Sequence, residues 1–197
     1  MGFRLIEKQV LFNGKKVRLE VHQLENDEGK RHQREIVVHN GAVVVLPLTK
    51  DGNVLLIRNR RYAVGQVLLE LPAGTLEKGE DPMNCAGREL LEETGYLAGR
   101  LWPLGSFFSS PGILTEKLYA FAAYDLEQSV SALEEGEEIE LHPVPMSEAL
   151  EMVRTGEIQD AKTIATLFLF DLKRKAQQAE RSPGQGQAPG AAGGDRE

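Results

Sequence analysis

Residues 74–96 read Gly-Thr-Leu-Glu-Lys-Gly-Glu-Asp-Pro-Met-Asn-Cys-Ala-Gly-Arg-Glu-Leu-Leu-Glu-Glu-Thr-Gly-Tyr, and this stretch decides the fold. Asp81 followed by Pro82 opens a helix, because an aspartate caps free backbone N–H groups and proline is pre-set for the first helical position. Helical periodicity runs to Thr94, and Gly95 stands ready to end the helix in a left-handed conformation. On that helix Glu89 and Glu93 are four residues apart and Glu89 and Glu92 three, so their carboxylates project toward one patch. Ala86 and Leu90 point elsewhere, toward a core. Such a patch repels itself unless counter-charged. Arg88 can tether one member through a bidentate pair, and a hard divalent cation can neutralise the rest. Magnesium suits this role, since it prefers oxygen ligands and meets proteins through carboxylates plus substrate phosphates.

Read alone, the Arg-Glu-x-x-Glu-Glu string fits a solvated surface helix as well as a metal site. The residues ahead of it carry the functional reading. Glu70-Leu71-Pro72-Ala73-Gly74 can place a main-chain carbonyl beside the acids, with Gly74 permitting a close approach. Glu80 can brace the loop between them or reach the metal.

Outward from this centre the chain reads as strands. Segments 3–12 and 15–24 are broken by Asn13-Gly14, a hairpin signal, and the second alternates polar and apolar, which predicts one wet and one buried face. A further strand begins at Arg34. Residues 41–48 and 54–58, joined by Asp51-Gly52, predict two core strands, and 68–71 a short one ending at Pro72. Residues 73–80 read as a loop. Strands are expected at 98–107, 117–125 and 139–144. Ser147 is expected to cap a short helix, and Asp160 to start a longer one with Ile164, Leu167, Phe168 and Leu172 on its buried stripe. After Arg181 the composition has almost nothing to bury, predicting a disordered tail at 182–197. The implied organisation is an N-terminal sheet over 1–39, a main domain over 40–181, and the tail.

With 23 basic and 30 acidic residues the net charge is −7, which argues against a broad nucleic-acid footprint. The single cysteine, Cys85, excludes a disulfide within the chain and reads as a small buried filler. The first residues lack a signal-like apolar run, Ile6 stands where a myristoylation signal has Ser or Thr, and no stretch is apolar enough to cross a bilayer. The cytoplasm is the default location. The histidines at 22, 32, 39 and 142 share no metal-ligand spacing.

Gly74, Glu80, Arg88, Glu89, Leu90, Glu92, Glu93, Gly95 and Tyr96 fall on every fixed position of the Nudix box. The chain therefore resembles the Nudix hydrolases over roughly residues 40–170. Within them it looks like the ADP-ribose pyrophosphatases, through Tyr62-Ala63-Val64-Gly65, Glu70 to Gly74, and Ser109-Ser110-Pro111-Gly112 with Thr115-Glu116-Lys117. Relatives acting on GDP-mannose share much of this layout.

The resemblance implies an α+β fold: a Nudix α/β/α sandwich with a mixed central sheet, plus a small N-terminal antiparallel sheet. It implies hydrolysis of a nucleoside diphosphate sugar, ADP-ribose giving AMP and ribose 5-phosphate, with magnesium, or manganese in its place. Glu89, Glu92, Glu93 and the Ala73 carbonyl would be the metal ligands, with Glu92 and Arg88 also counted in the catalytic set. A general base would come from the acidic loop at 134–138, where Glu137 fits best and Glu138 and Glu134 are rivals. Arg61 would contact the phosphates. Arg34 can also reach the site, Glu70 can pair with an arginine or hold the ribose, Pro111 and Gly112 mark the substrate loop, and Phe12 is a candidate to stack on the base. The subgroup further implies a homodimer in which each N-terminal sheet packs on the partner subunit. The competing readings are a Nudix hydrolase of another nucleotide sugar, such as GDP-mannose, and a catalytically idle nucleotide-sensing domain, against which the intact box speaks.

Overall fold

A computed structural model describes residues 2–129 and 139–181. In chain order its strands are β1 (Phe3–Asn13), β2 (Arg18–Asn26), β3 (Arg31–Val38), β4 (Ala42–Pro47), β5 (Asn53–Arg61), β6 (Gln66–Glu70), β7 (Ala73–Thr75), β8 (Tyr96–Phe108), β9 (Lys117–Gln128) and β10 (Ile139–Pro145). Three helices accompany them: α1 (Pro82–Thr94) between β7 and β8, then α2 (Met146–Thr155) and α3 (Ala161–Arg181) after β10.

The core is laid out by β4, which has no exposed face. Val43 and Val45 pack against Cys85, Ala86 and Leu90 of α1, while Val44 and Leu46 pack against Leu56, Leu71, Met152 and Leu167. Alternation along one strand thus fills two apolar layers, with α1 on one side and α2 and α3 on the other. β4 pairs in parallel with β9, so the four-stranded sheet β7-β4-β9-β8 is mixed, and a second sheet of order β10-β5-β6 is antiparallel. This is the expected α+β sandwich. Among the described residues, no helix is long and apolar enough to cross a membrane.

The N-terminal strands form the expected separate antiparallel sheet of order β1-β2-β3. Gly14 N donates to the Val17 carbonyl at 2.9 Å and closes the Asn13-Gly14 hairpin. The wet-and-dry alternation expected of β2 does not hold. Glu20 is only 4% exposed, with Arg18 Nε at 2.6 Å and His22 Nε2 at 2.7 Å from its carboxylate. A paired carboxylate tolerates a burial that an isolated one would not. β1 is exposed along its whole length.

Three further expectations are corrected. Ala73–Thr75, read as loop, forms β7 because the edge of β4 offers it unpaired backbone groups. Ser147 does not cap α2: that helix starts at Met146, with Pro145 in extended conformation at the cap position and no side-chain cap bond. On α3 the buried stripe is Thr163, Thr166, Leu167, Phe170 and Asp171, whereas Phe168 (48% exposed) and Leu172 (64%) face outward. The stripe follows the helical period, but two threonines and an aspartate occupy positions assigned by hydrophobicity to their neighbours.

Candidate active site

α1 takes its position from both ends. Asp81 Oδ1 accepts hydrogen bonds from Met83 N (2.9 Å) and Asn84 N (3.2 Å), and Gly95, at φ 73°, donates back to the Leu91 carbonyl at 2.8 Å. With Cys85, Ala86 and Leu90 buried against the sheet at β4, the adjoining flank of the helix, bearing Glu89 and Glu93, meets the neighbouring strand β7. Val44 pairs with Ala73 and Val43 with Gly74, which lays β7 directly alongside the acids.

Glu93 is buried, and its Oε2 accepts the Ala73 N–H at 2.9 Å. Glu89 presses on Gly74: a Cβ built there would fall 1.8 Å from the Glu89 carboxyl carbon. Only glycine leaves room for that carboxylate. Arg88 Nη1 lies 2.8 Å from Glu89 Oε1 and 2.9 Å from Glu92 Oε2, while its Nε and Nη2 bind Glu80 at 3.1 and 3.2 Å. Hydrogen bonding to Arg88 holds the Glu80 carboxyl below the usual carboxylate range, and Glu80 in turn raises the Arg88 guanidinium. Glu80 also accepts the Glu77 N–H at 2.9 Å, so of its two expected roles the structure shows the brace. Cys85 is the expected buried filler, with its thiol pushed up to about 12, chiefly by burial.

Glu89, Glu92, Glu93, Ala73 and Gly74 line one cavity of about 330 Å³, together with Lys15 and Lys16 from the β1–β2 turn. The donor set is hard oxygen, and the glycine cradle keeps a carboxylate against the strand, so the residues fit a divalent cation. Among the described residues, no three acidic, histidine or cysteine side chains converge into a closed ligand set. Arg88 draws Glu89 and Glu92 toward itself. That arrangement suits an ion held jointly with substrate phosphates better than one held by protein alone.

Arg61 lines this cavity and also a neighbouring recess of about 450 Å³ walled by Phe107, Phe108, Ser109, Glu116 and Lys162. Its Nε and Nη2 donate to the two Glu70 oxygens at 2.8 and 2.6 Å. Glu70 is fully buried and also pairs with Lys162, which is held by Asp160 at 2.9 Å. Bonding to Glu70 raises the Arg61 guanidinium. Asp160 Oδ2 accepts from Thr163 N (2.9 Å) and Oγ1 (2.6 Å), and Thr163 Oγ1 accepts the Leu71 N–H at 2.8 Å. The start of α3 is thereby tied to the strand leading into the box, with Glu70 behind Arg61 rather than on the recess surface.

The structure thus brings together Arg61, Ala73, Arg88, Glu89, Glu92 and Glu93, with Glu70 as support. It does not bring Arg34, Pro111 or Gly112 into either cavity: Arg34 lies exposed on β3, donating to the Gln33 carbonyl, and the other two lie on the exposed turn after β8. Phe12 is exposed on β1. Glu134, Glu137 and Glu138, and the tail at 182–197, lie outside the described residues. Sequence reasoning missed Lys162, Asp160 as its partner, and Glu116 as a wall residue. A lysine two positions after a helix-capping aspartate was the available signal for the first pair.

The box geometry and the two joined cavities define a hydrolase of phosphoanhydrides, and the chain belongs to the Nudix family: the NUDIX domain matches residues 38–167. It is 39% identical over 176 residues to the ADP-ribose pyrophosphatase of Bacillus subtilis, covering 88% of this chain and 95% of that protein. The GDP-mannose pyrophosphatase of Escherichia coli is 42% identical over 148 residues, covering 70% and 76%. The crystal structure of an ADP compounds hydrolase has the same fold, with a TM-score of 0.81 over 90% of this chain and 96% of that one at 23% identity.

Proposed function

We propose that this chain hydrolyses the pyrophosphate of ADP-ribose to AMP and ribose 5-phosphate, in the cytoplasm, with magnesium. The observation that carries this reading is the continuity of the site: Arg61 belongs both to the carboxylate cavity and to the recess beside it. A pyrophosphate at that junction leaves one cavity for the reacting phosphate and the other for an organic substituent. The ADP-ribose pyrophosphatase of Bacillus subtilis matches 88% of the chain, which favours that substrate.

Glu89, Glu92, Glu93 and the Ala73 carbonyl would hold the metal, which when bound neutralises phosphate charge and acidifies water. Arg61 has its Nε–Nη2 edge fixed on Glu70, so its Nη1 edge is oriented for phosphate oxygens without reorganisation. Arg88 holds Glu89 and Glu92 together and oriented through the one nitrogen, Nη1, that meets both. We assign the base that takes the proton of the attacking water to Glu137, on the resemblance of its loop, and Arg34 and Phe12 to a site completed by the partner subunit of a homodimer. In that dimer residues 1–39 would be the packing unit, in keeping with the exposure of β1.

The test is a magnesium-dependent hydrolysis screen of ADP-ribose, GDP-mannose and NADH in ¹⁸O-labelled water. ADP-ribose should give the highest kcat/KM, and the label should report the attacked phosphorus. A higher kcat/KM for GDP-mannose would move the assignment to the second class of relatives. No turnover of any of them would overturn it.

A further inference from the structure

We propose that His39 is a positioning residue for Glu116, which it leaves in the recess wall when neutral and draws away when protonated. The inference rests on the reading of the 450 Å³ recess as the pocket for the organic part of the substrate.

His39 joins the N-terminal sheet to β4. Its side chain is only 9% exposed, and its Nδ1 meets two groups at once: the Gly41 N–H at 3.1 Å and Glu116 Oε1 at 3.5 Å. The backbone around this contact is fixed. Thr115 Oγ1 accepts the His39 N–H at 2.9 Å and donates to the His39 carbonyl at 3.2 Å. Val37 N donates to the Ile113 carbonyl at 2.7 Å, and Thr115 N to the Val37 carbonyl at 3.0 Å. The histidine and the segment bearing Glu116 are therefore held as one piece, and the freedom left between them lies in their side chains.

Nδ1 offers either one lone pair or one proton. Accepting from Gly41 N, it is the lone pair, and the ring is neutral with its proton on Nε2. The Glu116 oxygen then faces an acceptor and gains nothing by approaching. A protonated ring instead donates from Nδ1 to Glu116, and the Gly41 N–H loses its acceptor. The other charged groups on the elements packed nearby are Lys117, whose Nζ sits over the Tyr119 ring at 5.1 Å, Glu77 after β7, and Lys15 and Lys16 at the hairpin turn, while Arg61, Asp160 and Lys162 line the same recess as Glu116. Among the described residues, Glu116 is the one in ion-pair range of this imidazole. Glu116 is a carboxylate among Ala42, Phe107, Phe108 and Leu118 in the recess, so it suits hydrogen-bond donors on the substrate, hydroxyl or amine. Engaged by an imidazolium, it is less available to them.

The test compares wild type with His39→Asn, which keeps a side-chain acceptor two residues before Gly41 but carries no titrating proton. KM and kcat are measured on the substrate that is turned over, from about pH 5.5 to about pH 8.5, across the histidine range. In wild type KM should rise roughly tenfold or more beyond the rise in the variant on acidification, the lower end of the worth of one hydrogen bond to a charged group. The two KM values should meet at the alkaline end, with kcat tracking together throughout. Proton NMR of the imidazoles supplies a readout that needs no substrate: the resonance missing from His39→Asn identifies His39, and Glu116→Gln should change its chemical shift at the acidic end of the range but not at the alkaline end, where Nδ1 faces Gly41 N instead. Superimposable KM profiles, or a His39 resonance that Glu116→Gln leaves in place at acidic pH, would overturn the proposal. Failure to hydrolyse ADP-ribose would instead overturn only the substrate assignment, since the NMR readout is independent of it.

Discussion

Gly74 is the residue at which backbone and chemistry meet. A methyl group there would occupy the space of the Glu89 carboxylate, 1.8 Å from its carbon. Gly74→Ala should fold with a melting temperature near wild type, because an alanine in a short strand loses less chain entropy than glycine. Its kcat should fall about a hundredfold, the cost of an ångström-scale misplacement at a reacting centre. Full activity in that variant would show that the cradle is dispensable. Glu93→Gln separates two roles of one side chain. The amide can still accept the Ala73 N–H, so structure should persist, while the lost charge should lower kcat by about 10² to 10³. Calorimetry with magnesium should show weakened binding in the same protein.

At the scale of elements, α3 supplies the cleanest comparison. Leu167→Ala opens a cavity in the core layer and should cost about 2–5 kcal/mol in denaturant unfolding. Leu172→Ser lies five residues further on and faces solvent, so it should stay within about 0.5 kcal/mol of wild type. Equal effects would contradict the observed stripe. The box helix was legible residue by residue, since Asp81, Pro82 and Gly95 each act on the nearest backbone and need no distant partner. β7 was not, because Ala73–Thr75 becomes a strand only when β4 lies beside it. Lys162 escaped for a related reason: its nearness to Asp160 is local, but the partner that places it in the site, Glu70, is 92 residues away. Local rules recovered the helix of the box. The recess wall depends on contacts between segments far apart in the chain.

At the scale of the molecule, Glu20, Glu80 and Asp171 are all held below their ordinary carboxylate values by bonded basic partners: His22 and Arg18 for the first, Arg88 for the second, Lys175 and Arg174 for the third. A depressed folded value means that the stabilisation is fully present above the unfolded value, 4.5 for glutamate and 3.8 for aspartate, and is lost as pH falls through the folded one. The melting temperature should therefore be insensitive to these groups near neutrality and decline below about pH 4. Sedimentation velocity should show a homodimer, and Leu11→Asp on exposed β1 should shift it toward monomer with the fold intact. A wild-type monomer would refute the packing role given to residues 1–39. The lone thiol of the chain, Cys85, has its own use at this scale. It is buried where α1 meets the sheet, with Arg88 Nη2 3.3 Å from its sulfur and its ionisation pushed up to about 12. An alkylating reagent at neutral pH can reach it only after the box helix lifts from the sheet, so the rate of modification counts opening events of that helix. A ligand that joins the helix to the strand should slow that clock, and one bound only in the recess should leave it running.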